Sequence, residues 1–320
     1  MFRIVMLALV ALAFVPHAWA DDEYPRQPIR IIVGYPPGSS DDVGARVLAN
    51  QLVAQTKWQV VVENRPGATA TIAAAYVAKA SPDGYTLLFN NAGLPSAGLL
   101  YKTLPYDLIK DFVPITEMWR SPQVLVVSNA LPVKSLQQFI AYVKAHPGRL
   151  NYGSSGTGSL GHLGSELFLR SIHGQVTHVP YKGGSEVVTA VISDQVQMVL
   201  SGLSLLLPQI KSGKVRALAV TSGERSPMLP DVPSFVESGL ANVSYTNWFG
   251  LAAPAGTPRK VVDTIRSATL NALDAQATKD ALAAQGAQVT GSTPEQFDAL
   301  IRKDVQQWAA IIRAAGITAQ

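Results

Sequence analysis

The chain has 320 residues, a length that suits two domains of ordinary size. Its 26 lysines and arginines only slightly outnumber its 22 aspartates and glutamates, and because the basic residues do not cluster, the composition argues against a nucleic-acid partner. Cysteine is absent, so disulfides are excluded and core packing must supply the stability.

The N-terminus has the pattern of a secretion signal. A single cation at Arg3 precedes an apolar run over residues 4–15, and the small residues of an A-x-A cleavage site end at Ala20. The run is shorter than the ~20 residues that a bilayer span needs, and acidic residues follow it at once. We therefore predict a signal peptide over residues 1–20, cleaved near Ala20, and export to the periplasm.

After the signal, β-branched runs alternate with segments of helical periodicity. The first part predicts strands over 29–35, 59–63 and 86–89, a helix carrying Val43, Val47, Leu48 and Leu52, and a helix over 70–80. A second unit predicts strands over 123–128, 150–152, 176–179, 198–200 and 215–220, and helices over 136–145, 160–171 and 185–192. The C-terminal part predicts a strand over 249–252 and helices near 258–284 and over 293–314.

This alternation is typical of an α/β protein with parallel, doubly wound sheets, in which ligands bind beyond the carboxyl ends of the strands. We predict that the chain crosses between domains around 119–123 and again around 244–248. Lobe 1 then comprises 21–122 and 247–320, and lobe 2 comprises 123–246. Two crossings make a hinge, and a hinged cleft can close on a ligand.

The most informative segment is the Gly153 loop, residues 153–159, which stands between a predicted strand and a predicted helix. Glycines let the backbone approach a ligand closely, and free amides at a helix start favour an anion. The alternative is an ordinary tight connection with Ser159 as N-cap. The candidate binding residues here are Ser154, Ser155, Thr157, Gly158, Ser159 and His162.

The Tyr35 loop, residues 35–42, also leads into a helix start and can face the Gly153 loop across a cleft. Its candidate binding residues are Tyr35, Gly38, Ser39, Ser40 and Asp42. Two of them have an equally plain structural interpretation. Asp42 can cap the helix and pair with Arg46 one turn on, and Tyr35 can pack in the core rather than stack on a ligand.

Enzyme signatures are mostly missing. The Gly153 loop contains no G-K-[ST] and no G-x-S-x-G, and the histidines have no metal-ligand spacing. We therefore expect no cofactor and no metal. Ser159 and His162 lie three residues apart and can mimic a catalytic pair, which keeps a serine hydrolase as the weaker alternative.

The chain resembles, over essentially its whole mature length, the receptor family of tripartite tricarboxylate transporters, also called the Bug family. The matching segments occur in the family's order. They are Tyr35-Pro36-Pro37-Gly38 with Asp42 and Arg46, Glu63-Asn64-Arg65-Pro66-Gly67-Ala68, Ser81-Pro82-Asp83-Gly84-Tyr85, Leu104-Pro105-Tyr106-Asp107, the stretch 151–159 with His162, His178-Val179-Pro180-Tyr181-Lys182-Gly183, the stretch 215–221 and Trp248-Phe249-Gly250.

The resemblance implies a type II periplasmic binding fold of two lobes, with a carboxylate held by backbone amides, hydroxyls and waters and delivered to a membrane permease. Ser39, Ala70 and the pair Ser201-Gly202 depart from the family's commoner residues. These departures bear on which ligand the cleft can satisfy.

We accordingly expect a monomeric receptor, not an enzyme, that clamps a small organic acid between the two loops. Asn91, Gly183 and Ser201 are expected to contact the remainder of the ligand. The leading alternative is a periplasmic sensor whose closed form is presented to a signalling partner instead of a permease.

Overall fold

The computed structural model describes residues 24–101 and 103–317. The predicted signal peptide over 1–20 lies outside the described residues. Within the described ranges, no helix combines the length and the apolar character that crossing a bilayer requires.

The strands are Ile29–Val33 (β1), Val60–Asn64 (β2), Thr86–Asn91 (β3), Phe112–Ser121 (β4), Gln123–Ser128 (β5), Asn151–Ser154 (β6), Thr177–Pro180 (β7), Met198–Gly202 (β8), Val215–Val220 (β9), Asn247–Pro254 (β10) and Gln288–Val289 (β11). The helices are Ser40–Thr56 (α1), Thr71–Ala78 (α2), Gly93–Ala97 (α3), Leu136–Ala145 (α4), Leu160–Ser171 (α5), Gly184–Ile192 (α6), Leu203–Lys211 (α7), Arg259–Asp274 (α8), Gln276–Ala283 (α9) and Pro294–Ala315 (α10). Short 3₁₀ turns cover Ala68–Ala70 and Ala241–Val243.

The strands form two sheets with related topology. The first, six-stranded sheet has the order β2-β1-β3-β10-β4-β11, and the second, five-stranded sheet has the order β7-β6-β8-β5-β9. β10 runs antiparallel to β3 and β4, and β5 runs antiparallel to β8 and β9. β10 and β5 are the strands that the chain forms on arriving from the other sheet, and the short β11 also runs antiparallel to β4. The sheets are therefore mixed, not wholly parallel as the alternation predicts.

The chain passes between the sheets at Pro122 and again shortly before β10. The backbone amide of Gln123 donates to the Thr221 hydroxyl at 3.0 Å, and the Thr221 amide donates to the Gln123 carbonyl at 2.9 Å. The Tyr245 hydroxyl donates to Gln123 Oε1 at 2.9 Å. All three residues are buried, so these bonds hold the two connecting segments together away from water. The lobe limits 21–122, 123–246 and 247–320 remain a prediction.

Helix α10 links the two sheets through apolar contacts. It packs against β4 and α3 on one side and against α5 on the other. Trp308 on α10 meets the ring of Tyr245 edge to face, with centroids 5.3 Å apart, and belongs to one buried cluster with Leu163 and Trp248. The C-terminal helix therefore fixes how the sheets face each other in this conformation.

Most predicted elements match, and the differences have local causes. Helices α4 and α5 have the predicted limits, whereas the helix predicted over 258–284 breaks at Ala275, whose ψ of 133° is extended. The break allows Leu273 and Leu282 to reach the same buried cluster. The hydrophobic pattern does not predict four elements, which are α3, α7, β4 and β11. α7 contains Pro208, a residue that normally disfavours a helix interior.

Gly161, in the first turn of α5, offers a test of how closely this helix lies on β8. A Cβ at Gly161 would lie 2.5 Å from the Leu200 carbonyl oxygen, so Gly161→Ala must push the helix away. We expect it to lower the free energy of unfolding by about 1–3 kcal/mol. The measurement is the urea midpoint at unchanged slope.

Gly223→Ala is the matched control, because a Cβ there meets nothing within 4 Å. Equal midpoints for the two variants would show that α5 is not seated tightly on β8.

Candidate functional site

The Tyr35 loop is fixed by a network around Asp42. The Asp42 carboxylate accepts bonds from the Gly38 amide at 2.9 Å, from Arg46 Nε at 3.0 Å and from Asn64 Nδ2 at 2.9 Å. Ser39 is the N-cap of α1, and its hydroxyl accepts from the Asp42 amide at 3.2 Å. The Arg46 bond, with those from Gly38 and Asn64, lowers the pKa of Asp42 to about 2. Asp42 thus holds the loop in shape.

The neighbouring carboxylate, Asp41, has a different environment. It is buried, with 5% of its surface exposed, and Asn91 Nδ2 donates to its Oδ1 at 2.5 Å. The Ser40 hydroxyl donates to Oδ2 at 3.3 Å. No lysine or arginine of the described residues pairs with it, and burial raises its pKa to about 6. Asp41 is therefore a buried carboxylate without a countercharge, and it is not among the residues that the sequence pattern singled out.

Asn91, Tyr35 and Thr69 converge on Gly93, just beyond the end of β3. The Gly93 amide donates to Asn91 Oδ1 at 2.9 Å. A Cβ on Gly93 would lie 3.1 Å from Asn91 Oδ1, 3.2 Å from the Tyr35 hydroxyl and 3.9 Å from Thr69 Cγ2. Burial, with Asp41 as a further cause, raises the pKa of Tyr35, so its hydroxyl keeps its proton. Polar groups thus meet at the carboxyl ends of β1 and β3, where α/β proteins bind ligands.

The turn that brings Thr69 to this point is strained. Ala68, Thr69 and Ala70 have φ angles of 49°, 52° and 70°, values that residues with a Cβ seldom adopt. A Cβ on Gly34 would lie 2.2 Å from the Ala70 Cβ, so the two chain segments are in close contact. The packing of the Ala68–Ala70 turn against Gly34 holds this backbone in place.

The Gly153 loop is fixed by a second network. The amide of Gly158 donates to His162 Nδ1 at 2.9 Å, and the Ser154 hydroxyl lies 2.6 Å from His178 Nε2. The two imidazoles stack with centroids 4.0 Å apart, and burial lowers the pKa of both to about 4. Gly156 and Gly158 have φ of 120° and 80°, which glycine adopts without strain. The neutral rings act here as supports for the loop.

Ser159 and His162, the pair that could mimic a catalytic serine and histidine, form hydrogen bonds with backbone amides. The Ser159 hydroxyl caps α5 by accepting from the His162 amide at 3.3 Å, while the His162 ring accepts from Gly158. Ser155 and Thr157 are exposed, whereas Ser154 is buried. Ser155 and Thr157 therefore present surface to solvent.

The two loops meet at α3, a helix that the sequence did not predict. The Ser96 hydroxyl donates to the Gly158 carbonyl at 3.3 Å as well as to the Gly93 carbonyl at 2.8 Å. A Cβ on Gly158 would lie only 1.8 Å from Leu100 Cδ1. α3 begins two residues after Asn91, so this short helix connects the Asp41 network with the Gly153 loop.

Gly183 and Ser201 belong to the same half of the molecule as the Gly153 loop. Gly183 is the N-cap of α6, and a Cβ there would meet nothing within 4 Å. Ser201 is half-buried on β8, opposite Val124 on β5. The Tyr181 amide donates to the Ser154 carbonyl at 2.9 Å, which places the segment before Gly183 beside the Gly153 loop.

A depression of about 480 Å³ lies elsewhere, near the amino ends of β1 and β3. Its Arg30 guanidinium already donates to the Tyr76 hydroxyl at 2.8 Å and to Thr86 Oγ1 at 2.9 Å. Because these bonds occupy the cation and the surface lies at the opposite end of the strands, the candidate site is the region around α3.

Comparison with known proteins identifies the fold's relatives. The family described as tripartite tricarboxylate transporter family receptor matches residues 44–317. The chain belongs to this family. Protein BugT of Bordetella pertussis is 37% identical over 309 residues, covering 96% of this chain and 95% of that protein.

Solved structures agree with this assignment. An R. palustris protein with adipate has a TM-score of 0.84 at 32% identity, covering 92% of this chain and 99% of that one. MatC from Rhodopseudomonas palustris with bound malate has a TM-score of 0.79 at 30% identity, covering 90% and 100%. The periplasmic binding protein BugD has a TM-score of 0.81 at 32% identity, covering 93% and 100%. The chain is a solute-binding receptor, not an enzyme.

The receptor should become more stable when Asp41 loses its charge. Burial raises the pKa of Asp41 from 3.8 to about 6, so between these values the folded chain binds a proton more tightly than the unfolded chain. The contribution of Asp41 to stability therefore falls as pH rises through this window. Asp41→Asn should be more stable than wild type at pH 7.5, by at most ~3 kcal/mol, and the difference should shrink toward pH 4.

Urea unfolding of the unliganded proteins at both pH values measures this difference. Asp194→Asn is the control, since Asp194 is exposed and asparagine readily adopts its φ of 61°. Equal stabilities of wild type and Asp41→Asn at pH 7.5 would contradict the prediction.

Proposed function

We propose that this receptor works in the periplasm, captures a small organic carboxylate between its two lobes, and delivers it to the permease of a tripartite tricarboxylate transporter. The observation that carries the proposal is the contact of Ser96 with Gly158, which joins the segment after β3 of one sheet to the loop after β6 of the other. A solute held there touches both lobes at once, so its binding favours the closed form over an open one.

The donors around the Gly153 loop support a carboxylate. Ser159 caps the His162 amide, whereas the amides of Leu160 and Gly161 have no intrahelical partner, and no acidic residue occupies the first turn of α5. Ser155 and Thr157 are exposed, and their hydroxyls add hydrogen-bond donors. The glycines of this loop allow its backbone to approach a ligand closely. Relatives solved with adipate and with malate make dicarboxylates and hydroxy acids reasonable first probes.

The remaining parts of the proposal rest on the sequence and on the family. The N-terminal pattern with Arg3 and Ala20 supports export. The family description supports a transporter as partner. The two crossings between the sheets support lobes over 21–122 with 247–320 and over 123–246 that close about a hinge, and we propose that the receptor acts as a monomer.

A thermal-shift screen of the purified receptor against mono-, di- and tricarboxylates, amino acids and aromatic acids, with sugars and simple amines as controls, tests the proposal. A ligand at about 100 times its Kd should add roughly 2.7 kcal/mol of stability, which raises Tm by a few degrees. A screen in which sugars or amines without a carboxylate stabilise the protein, and no acid does, would overturn the assignment.

Ser155→Leu should weaken binding of the acid found in that screen by about tenfold or more, because it removes an exposed donor and fills the site. The unliganded Tm should change little, since Ser155 is exposed. Ser193→Leu, at an exposed serine after α6, is the matched control. Equal loss of affinity in both variants would show that Ser155 does not face the ligand.

A further inference from the structure

The two helix starts at the site differ in charge. α1 carries Asp41 and Asp42 in its first turn, whereas α5 carries no acid there. A carboxylate in the first turn of a helix already occupies the place that the helix dipole offers to an anion. The α1 end is therefore compensated from within the protein, and the α5 end is left for the ligand.

Asp42 and Asp41 differ in their partners. Asp42 is neutralised by Arg46, whose Nη2 lies 2.9 Å from Asp42 Oδ1, and it also accepts from Gly38 and Asn64. Within the described part of the chain, Asp41 accepts from the Asn91 amide, the Ser40 hydroxyl and its own backbone amide, and from no cation. A carboxylate has about four lone-pair sites, so Asp41 can still accept from a further donor.

The surroundings of Asp41 favour a positively charged donor. Burial of an ionised carboxylate without a cation is costly, and a ligand ammonium that entered the site would relieve this cost. Asn91 Oδ1 and the Tyr35 hydroxyl lie within about 4 Å of the same point above Gly93 and add further oxygens on this side. A ligand carboxylate placed here would meet Asp41 as a like charge.

We propose that Asp41 makes the cleft selective for a zwitterionic acid, whose carboxylate faces the Gly153 loop and whose protonated amine faces Asp41, over a dicarboxylate of the same length. This inference rests on the proposed function, because it requires that a carboxylate binds between the lobes. It changes the expected role of the Tyr35 loop, which then receives the cationic end of the ligand instead of sharing the anion.

Isothermal titration with matched pairs of ligands tests the selectivity. The pairs are adipate with 6-aminohexanoate, glutarate with 5-aminopentanoate, and succinate with 4-aminobutanoate, supplemented by the acid found in the thermal screen and its analogue with an amine. In the best-fitting pair, wild type should bind the amino acid at least about tenfold more tightly than the dicarboxylate. Asp41→Asn should lose about tenfold or more of that affinity and should equalise or reverse the preference.

Asp41→Asn keeps an acceptor for Asn91, so the local fold is retained, and the unliganded Tm checks this directly. Asp194→Asn also removes one negative charge, but at an exposed position, and should leave the preference unchanged. A wild-type preference for dicarboxylates, or an unchanged preference in Asp41→Asn, would overturn the inference. Failure of every acid to bind wild type would instead overturn the proposed function.

Discussion

The hydroxyl of Ser96 reaches the carbonyl of Gly158, and this bond between the two halves of the molecule depends on Gly158 having no side chain. Leu100 lies where a Cβ would stand, so any other residue would hold the loop away from α3. The positive φ of Gly158 adds a second reason for glycine. The Gly153 loop therefore meets α3 through its backbone at Gly158.

Two features near this contact disfavour the folded state. The turn Ala68–Ala70 holds three residues in the left-handed region, and Asp41 is buried without a cation. Either feature alone disfavours the folded state by an amount of order 1–3 kcal/mol. Strain and uncompensated charge that converge on one small volume are typical of a site that a ligand completes. The buried histidine pair, in contrast, is satisfied by Gly158 and Ser154 and belongs to the scaffold.

The sequence predicted the long, strongly periodic elements well and the site only in part. α4 and α5 were placed at their observed limits because their apolar residues recur at helical spacing between clear caps. α3 was missed because five residues that include Gly93 and Pro95 show no periodicity. That helix packs against α10 and the Ala68–Ala70 turn, and no local sequence pattern predicts these contacts.

Asp41 was missed for a different reason. Two adjacent acids at a helix start look alike in a sequence, and the capping partner Arg46 draws attention to Asp42. Successive residues on a helix point about 100° apart, so one carboxylate turns toward Gly38 and Arg46 while the other turns inward to Asn91. With Asp41 on the inward side of α1, the proposed cleft has an anionic end. The dipole of α1 alone would make that end positive. A receptor built on two cation-like helix starts suits a dianion, and one added carboxylate is enough to convert such a cleft into a site with two opposite ends.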